Sequence, residues 1–285
     1  MILDGVALAH RYSQLLKEHI TFSVGLVAIL VGENSASRVY IAQKRKKAEM
    51  LGIGFECVEL QETISQEALH EVIMRLNRDA MVHGMILQLP LPDHLNADLA
   101  LGCIDPSKDV DGLHPYNLGA LFKKEIGFAS CTPQGCIQLL RSVIPDLSGK
   151  KVLVIGRSNL VGKPLFHLLL RHNATVTVAH SKSLNLKELC HQHDILVAAI
   201  GVPHLIDETY VKDDHIVIDV GITKVDGKLY GDVNFDQVEP IVKSITPVPG
   251  GVGPMTVLNL MLNTVIAALQ QQKEEIPHVL SVLRG

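Results

Sequence analysis

A strand, a glycine turn and a helix follow one another over residues 151–164, and this order constrains the fold more than any other stretch. Residues 152–155 form a short, mainly β-branched run, which is typical of a strand that a parallel sheet buries on both faces. Gly156 breaks the run, and Gly162 stands where an apolar periodic segment begins. A second strand is predicted over 174–179, so the stretch indicates a complete βαβ unit.

The same stretch is a candidate dinucleotide site. A helix that starts after a strand and a glycine turn directs free N–H groups toward a phosphate. The pattern is Gly-x-Ser-x-x-x-Gly rather than Gly-x-Gly-x-x-Gly, so an ordinary βα turn without a ligand is the alternative. The second strand is followed by His180, Ser181 and Lys182, where an NAD-selective site usually has a carboxylate. Together with Arg157 in the turn, these groups favour the 2′-phosphate of NADP.

The composition is that of a globular chain with two α/β domains or one large one. The chain has 285 residues, of which 47% are hydrophobic, and a formal net charge of −4. That charge offers no basic surplus for nucleic acid or an anionic membrane. Five scattered cysteines argue against a disulfide framework. The N-terminus lacks a cationic region before an apolar core, and we find no apolar run of roughly 18 residues. We expect a cytoplasmic protein without membrane or nucleic-acid partners.

The first half of the chain is predicted to be a second α/β layer of the βαβαβ type. Its helices are expected over 5–19, 37–51 and 65–78, and its strands over 24–31, 55–60 and 84–88. Residues 105–119 have no period and many turn formers, and predict a loop. Beyond it we expect a helix that opens with Thr132 as N-cap, buried strands over 194–201 and 215–221, a hairpin over 227–233, and a long apolar helix.

Tyr40 and Lys44 are the first candidates for chemistry, because they lie one helical turn apart. A similar pair serves short-chain dehydrogenases, but there it follows the cofactor loop, whereas here it precedes the loop. The alternative is a solvated helix face, since the cations at 45–47 are expected to be exposed. However, Lys44 shares its stripe with Tyr40 and Ala48, which points it inward. A lysine on an inward face needs a partner or a task.

Three further groups of polar residues are candidates. Gln88 ends a buried strand, so its amide either projects at the ligand-binding edge of the sheet or caps the backbone. Asp109 and Asp111 lie in the predicted loop, where one of them is expected to be a turn former. Nothing near them completes a metal ligand set. The cluster of Cys190, His191 and His193 lacks a fourth ligand and is interpreted as solvated surface.

A proline- and glycine-rich turn at residues 246–256 precedes the long apolar helix. Such a side-chain-poor turn is either a structural crossover or a wall against which a flat ligand lies. We find no interpretation for the tail after residue 272.

Taken together, these segments resemble one family. The motifs are Val-Gly-Glu-Asn-Ser-Ala-Ser-x-x-Tyr-x-x-x-Lys at 31–44, Gly-x-x-x-Gln-Leu-Pro-Leu-Pro at 84–92, Lys-Asp-Val-Asp-Gly at 108–112, Cys-Thr-Pro at 131–133, Gly-Arg-Ser-x-x-Val-Gly at 156–162 and Pro-Val-Pro-Gly-Gly-Val-Gly-Pro-Met-Thr at 247–256. In order and spacing they resemble the bifunctional methylenetetrahydrofolate dehydrogenase/methenyltetrahydrofolate cyclohydrolase, from about residue 4 to about residue 270. Val6 departs from many members, which carry lysine there, and residues 273–285 lie outside the resemblance.

The resemblance implies a two-domain α/β fold. An N-terminal α/β substrate domain would comprise 1–130 and 255–285, with the last long helix returning to it, and a Rossmann-like NADP-binding domain would comprise 131–254. It also implies a homodimer with the folate in the cleft between the domains.

Residue roles also follow from the resemblance. It implies that Lys44 is the catalytic base or proton shuttle, that Gln88 holds Lys44, that Tyr40 stacks on the folate and that Asp111 bonds the pterin edge. Further implied folate contacts are Leu89, Pro249, Gly250 and Gly251. The implied cofactor contacts are Thr132, Gly156, Arg157, Ser158, Val161, Ser181 and Ile222. No metal is implied.

The expected activity is oxidation of 5,10-methylenetetrahydrofolate with NADP to the methenyl form, followed by hydrolysis to 10-formyltetrahydrofolate. Two alternatives are weighed against it: another two-domain Rossmann dehydrogenase resembling shikimate dehydrogenase, and a dinucleotide-sensing module without chemistry. The sequence leaves open the direction in the cell, the relative rates and the strictness of NADP over NAD.

Overall fold

The structure, a computed structural model, describes residues 1–123 and 127–284 and divides into two compact units. We name them after their main sheets. The three-stranded unit comprises Tyr12–Ala129 and Val257–Arg284, and the five-stranded unit comprises Met1–Arg11 and Ser130–Thr256. The first eleven residues thus cluster with the second sheet, unlike in the expected division, because Leu3 N–H donates to the Ile245 carbonyl at 2.8 Å. The domain limits given above stay a prediction.

The helices and strands alternate along most of the chain. In order, they are α1 (Gly5–Lys17), β1 (Gly25–Val31), α2 (Ser35–Leu51), β2 (Gly54–Leu60), α3 (Gln66–Arg78), β3 (Gly84–Leu87), α4 (Ala97–Leu101), α5 (Pro115–Lys123), α6 (Cys131–Arg141), β4 (Lys151–Ile155), α7 (Gly162–Arg171), β5 (Thr175–Ala179), α8 (Leu186–His191), β6 (Ile195–Ala198), a 3₁₀ turn (Glu208–Tyr210), β7 (Ile216–Asp219), β8 (Thr223–Val225), β9 (Lys228–Tyr230), α9 (Phe235–Val238), β10 (Ser244–Ile245), α10 (Val252–Gln271) and α11 (His278–Arg284).

The three-stranded unit is built on a parallel sheet in the order β2-β1-β3. The central strand β1 is almost entirely buried, as expected for an apolar run covered on both faces. Helix α2 begins after Asn34, whose side chain accepts the Ser37 N–H at 3.0 Å, and ends at Gly52 with φ 78°. On α3, Leu69 and Ile73 are fully buried in the core of this sheet. Helix α2, which carries Lys44, is anchored by its own buried residues Ile41, Ala48 and Leu51.

The five-stranded unit is a parallel sheet in the order β10-β7-β6-β4-β5. The chain starts at β4, continues to β5 on one side and then crosses to β6 on the other. In an open α/β sheet, the point where the strand order reverses is the place where a ligand binds, at the carboxyl ends of the strands. The predicted α/β class is confirmed, and the loop after β4 lies at this switch point.

Two local predictions are wrong. The segment 105–119 is not all loop, because α5 begins at Pro115 within it. Proline suits a first helical position, and its helix is held by tertiary contacts rather than by periodicity. Helix α6 begins at Cys131 with Ser130 as N-cap, so Thr132 lies inside the first turn and is not the cap.

The cluster at the end of α8 is also corrected. Cys190 is fully buried and His193 is 7% exposed, and only His191 is on the surface. His193 contacts the Leu189 carbonyl through Nδ1 and Thr177 Oγ1 at 2.8 Å through Nε2. The end of the short helix α8 packs into the core, although its polar composition had indicated a solvated surface. All five cysteines are free thiols.

Helix α10 is long and apolar enough, by length and composition, to cross a membrane, contrary to our expectation from the sequence. However, 78% of its most apolar stretch is buried within the protein. This degree of burial is that of a core helix, so the hydropathy of α10 is weak evidence for a membrane span.

Stability is expected to fall as the pH drops from about 6.5 toward 4, because His215 is fully buried and neutral. Its Nδ1 accepts the Lys212 N–H at 3.3 Å and its Nε2 faces the His193 carbonyl at 3.1 Å. Burial, with a smaller contribution from Lys212, lowers the pKa of His215 to about 4. The unfolded histidine therefore binds a proton in this pH range while the folded one does not. Thermal unfolding at pH 7 and pH 5 should show a smaller pH effect in His215→Gln than in the wild type. Equal pH effects in both proteins, with exposed His10→Gln as control, would contradict this prediction.

Candidate active site

Lys44 and Gln88 form the first part of the site. Lys44 Nζ donates to Gln88 Oε1 at 2.9 Å, and Gln88 Nε2 donates to the Leu89 carbonyl at 2.8 Å. Gln88 directly follows β3, and its own N–H pairs with the Ile29 carbonyl of β1. The backbone of the sheet therefore orients the amide, and the amide orients the ammonium group. One end of the Gln88 amide caps the backbone, as one interpretation had it, and the other end accepts from the lysine; a role at a ligand-binding edge stays a prediction.

The four consecutive cations of α2, residues 44–47, differ in their exposure to solvent. Lys44 is half-buried, Arg45 and Lys46 are exposed, and Tyr40 keeps 39% of its surface exposed. Lys47 is also half-buried rather than solvated, and burial lowers the pKa of its ammonium group. Tyr40 precedes Lys44 by one turn on the same face, so its ring is accessible beside the Lys44–Gln88 pair.

The two aspartates of the 108–112 loop have different roles. Asp109 is 1% exposed, and its carboxylate accepts bonds from Leu113 N–H, His114 N–H and the Asn117 side chain, the last at 2.8 Å. Burial raises the pKa of Asp109, and these donors oppose the shift. Asp111 is half-buried, and among the residues that the structure describes its carboxylate receives no hydrogen bond. Asp109 is therefore the turn former, and Asp111 is available to a ligand.

The loop is attached to the strand that leads to Gln88. Met85 of β3 forms an isolated parallel bridge with Asp109, and Met85 N–H donates to the Lys108 carbonyl at 2.7 Å. Lys108 Nζ in turn donates to the carbonyls of Leu76 and Asp79 at the end of α3. Because the pairing is parallel, the chain from Asp109 to Asp111 starts beside the strand that leads to Gln88.

The proline- and glycine-rich turn belongs to the five-stranded unit, where it is held by the start of α1. Val6 N–H donates to the Gly250 carbonyl at 3.1 Å, and a Cβ on Gly5 would overlap the Gly251 carbonyl. Gly250 adopts φ 112°, which favours glycine. Pro249 is exposed and follows a cis peptide bond. The turn is thus fixed and presents backbone rather than side chains.

The turn after β4 has the backbone shape that a dinucleotide phosphate requires. Gly156 adopts φ 131°, and a Cβ there would overlap the Ala199 carbonyl. A Cβ on Gly162 would overlap the Gly156 carbonyl, so α7 begins in close contact with the turn. Ser158 Oγ accepts the Val161 N–H at 3.2 Å, which shapes the turn from within. Arg157 and Ser158 are exposed, so the residues present fit a phosphate at this helix start.

The end of β5 fits a 2′-phosphate. His180 and Ser183 close a tight turn through a backbone bond of 2.8 Å and a side-chain bond of 3.0 Å, which leaves Ser181 and Lys182 exposed at its tip. The turn itself carries no carboxylate. A hydroxyl and cations are the groups that bind a phosphate dianion.

The other implied cofactor residues lie around the same sheet. Ile222 follows β7 and is 40% exposed. Thr132 is half-buried in α6, where its hydroxyl lies 2.9 Å from that of Thr256. Their contact with a cofactor stays a prediction, as do the roles of the residues around Lys44. Sequence reasoning missed Asp219 and Asp232, two buried carboxylates beside Ile222.

The match to family models decides the classification. Residues 3–111 match the catalytic domain of tetrahydrofolate dehydrogenase/cyclohydrolase, and residues 130–272 match the NAD(P)-binding domain of the same family. The chain belongs to the tetrahydrofolate dehydrogenase/cyclohydrolase family. The resemblance inferred from the sequence motifs is thereby confirmed, as are the Rossmann-like nucleotide domain and the pairing of a dehydrogenase with a cyclohydrolase.

Full-length relatives agree with this assignment. The chain is 48% identical to the bifunctional protein FolD of Wolbachia sp. subsp. Drosophila simulans (strain wRi), over 95% of this chain and 96% of the relative. It is 47% identical to FolD of Streptococcus thermophilus (strain ATCC BAA-491 / LMD-9), over 96% and 99%. Among solved structures, FolD methylenetetrahydrofolate dehydrogenase/cyclohydrolase of Campylobacter jejuni matches with TM-score 0.92 and 44% identity, over 95% and 99%.

Two further structures bear on the cofactor and on the alternative. The family enzyme of Trypanosoma brucei, solved with NADP and an inhibitor, matches with TM-score 0.91 and 36% identity, over 96% of this chain and 99% of that one. Shikimate dehydrogenase of Thermus thermophilus matches with TM-score 0.53 and 16% identity, over 91% and 98%, which shows a shared fold alone. The family assignment therefore prevails over the shikimate-like alternative.

Proposed function

We propose that this family member oxidises 5,10-methylenetetrahydrofolate with NADP and hydrolyses the 5,10-methenyl product to 10-formyltetrahydrofolate. The observation that carries the proposal is the Lys44–Gln88 hydrogen bond at the end of β3. A lysine whose position is fixed by an amide can hold and pass a proton close to a bound folate. NADP supplies the hydride acceptor when it is bound.

The oxidation step mainly requires positioning. The methylene carbon of the substrate loses a hydride to NADP, which leaves a methenyl cation between N5 and N10. Holding the two reactants in a reactive arrangement can supply much of the rate. We propose that Tyr40 and Asp111 bind the pterin, one by stacking and one by accepting its N–H groups, and that Leu89, Pro249, Gly250 and Gly251 also contact the folate.

The hydrolysis step requires proton transfer. Water adds to the methenyl carbon and loses one proton, which is delivered to N5 as the bond from that carbon to N5 breaks. The second proton of the water is released to solvent as the formyl C=O bond forms. Lys44 Nζ is the group that we propose takes the first proton and delivers it to N5, with Gln88 holding the lysine in place. No metal is needed, because the methenyl carbon is already electrophilic.

A spectrophotometric assay with methylenetetrahydrofolate and NADP tests the proposal. Reduced cofactor and methenyl product should form, and the methenyl product should then disappear without further cofactor. A shikimate-like dehydrogenase would instead oxidise shikimate, and a sensing module would bind NADP without turnover. Either result would overturn the proposed function.

The preference for NADP is expected to depend on Arg157. Arg157→Ala should raise the KM for NADP by about ten- to a hundredfold, which corresponds to a charge-assisted hydrogen bond of about 1.5–3 kcal/mol, and should leave NAD use nearly unchanged. Steady-state kinetics with both cofactors measure this. Lys151→Ala is the matched control, because Lys151 is exposed at the opposite end of β4. Equal use of NAD and NADP by the wild type would contradict the prediction.

We also propose a cytoplasmic homodimer that has no nucleic-acid or membrane partner and supplies formyl groups for purine biosynthesis. The family resemblance supports the dimer, and β2 lies at an edge of its sheet, where strands of another copy can pair. Five free cysteines fit a reducing compartment, and the net charge of −4 does not favour polyanions. Light scattering after size-exclusion chromatography and cell fractionation test these points, and a monomer or a membrane-bound fraction would contradict them.

A further inference from the structure

Two buried aspartates lie at the carboxyl end of the five-stranded sheet. Asp219 is the last residue of β7 and is 3% exposed, and Asp232 follows β9 and is fully buried. A buried carboxylate is costly unless hydrogen bonds compensate for its lost hydration. The hydrogen-bond partners of these two carboxylates therefore show which parts of the structure they hold in place.

Asp219 joins the end of β7 to the strand that returns from the hairpin. Its Oδ1 accepts the backbone N–H groups of Gly221 at 3.1 Å and Asp232 at 2.9 Å. Its Oδ2 accepts the N–H of Val233 at 2.9 Å. Its own N–H donates to Thr246 Oγ1 at 2.7 Å, just after β10.

Asp232 extends this network to the loop after β6. Its carboxylate accepts the N–H groups of Ile200 and Gly201, the latter at 3.0 Å to Oδ1. Ile200 and Gly201 follow the carboxyl end of β6, which neighbours β4 in the sheet. Two carboxylates therefore hold the loops after β6 and β7 and the β8–β9 hairpin through backbone bonds.

The local sequence is adapted to these carboxylates. A Cβ on Gly221 would overlap the Asp232 carboxylate, and a Cβ on Gly231 would overlap that of Asp219. Both glycines are therefore required by close approach to a carboxylate. The carboxylates therefore do more than satisfy backbone N–H groups, because two neighbouring positions must be glycine to make room for them.

The position of the network relates it to one half of the cofactor. In a sheet of this type the pyrophosphate lies at the helix start after the first strand, and the adenosine ribose lies at the end of the second strand. These places correspond to the turn after β4 and to the end of β5. The other half of the dinucleotide must extend across β6 and β7, whose loops hold Gly201 and the exposed Ile222.

We propose that Asp219 and Asp232 are positioning residues for the nicotinamide half of NADP, because their carboxylates hold the loops after β6 and β7 in the shape that receives it. This inference rests on the NADP-linked activity proposed above. Burial, with a smaller contribution from the Asp232 carboxylate, raises the pKa of Asp219 to about 7.

Cyclohydrolase activity provides an internal control, because hydrolysis of the methenyl substrate consumes no NADP. Asp232→Asn and Asp219→Asn place an amide N–H₂ where backbone N–H groups need an acceptor. Each variant should raise the KM for NADP by about tenfold, the effect of losing one charge-assisted hydrogen bond, and leave cyclohydrolase activity on preformed methenyltetrahydrofolate unchanged. Asp226→Asn is the matched control, since Asp226 is exposed at the tip of the same hairpin and Asn tolerates its φ of 49°.

Three results would overturn the inference. One is an unchanged KM for NADP in the folded variants. Another is a parallel loss of both activities and of melting temperature, which would indicate a general role in folding. The third comes from hydrogen exchange on the wild type, which does not depend on the variants folding. The amides of Ile200, Gly201 and Val233 should be protected from exchange without NADP. Rapid exchange of these amides would show that the carboxylates do not hold the loops. A wild type that cannot use NADP would reject the proposed function itself, whereas the three results above concern the aspartates alone.

Discussion

Lys44→Met should reduce cyclohydrolase activity by about 10²–10⁴-fold, the usual loss when a positioned acid–base group is removed. Methionine has a similar length but no proton to give or take at its end. Dehydrogenase activity should fall less, because hydride transfer depends on how the folate is held rather than on a proton at Lys44. The 2.9 Å bond from Lys44 Nζ to Gln88 Oε1 is the structural basis for expecting one defined proton position.

The measurement is the rate of both reactions on one purified preparation, with circular dichroism to verify folding. Lys46→Met is the matched control, since Lys46 is exposed on the same helix and should change neither rate. If the cyclohydrolase survives while the dehydrogenase is lost, Lys44 positions the folate and another group activates the water.

Asp111→Ala should lower kcat/KM of both activities by about ten- to a hundredfold while the melting temperature stays within about a degree of the wild type. The carboxylate is half-buried and receives no hydrogen bond from the described residues, so the fold does not depend on it. A pterin offers N–H donors along one edge, and a charge-assisted bond to a carboxylate contributes about 1.5–3 kcal/mol. Both reactions use the same folate, so both should suffer.

Asp109→Asn provides the contrasting variant. Its carboxylate accepts from two backbone N–H groups and from Asn117, so replacing one oxygen by N–H₂ should lower the melting temperature. The Asp111 variant should therefore raise the folate KM and keep its melting temperature, whereas the Asp109 variant should lose melting temperature. An Asp111 variant that loses stability but keeps its folate KM would assign the turn-forming role to Asp111 instead.

The family resemblance and much of the fold follow from local sequence. The run at 152–155 between a charged residue and a glycine predicts a buried parallel strand, and β4 occupies Lys151–Ile155. The stripe of Tyr40, Lys44 and Ala48 predicts an inward-facing lysine, and Lys44 is half-buried. These predictions succeed because the periodicity of a helix or a strand indicates, from a few neighbouring residues, which side chains face the core.

Local pattern fails where partners are distant in the chain. Thr132 has the composition of an N-cap but Ser130 takes that place, and α5 forms within a segment without period. The cluster at Cys190 and His193 is buried because other parts of the unit cover a helix that looks polar by itself. In each case a tertiary contact outweighs the local preference.

The sequence by itself therefore determined the α/β class and the candidate residues, and it predicted a preference for NADP over NAD. The family resemblance already implied a Lys44–Gln88 contact and a role for Asp111. Only the tertiary structure gave the Lys44–Gln88 hydrogen bond its geometry, showed Asp109 to be the buried turn former, and brought Asp219 and Asp232 to the loops after β6 and β7. The physical reason is that hydrogen-bond partners of this kind are fixed by strand order and register. Both depend on the whole sheet, and a periodicity of two or 3.6 residues carries no information about them.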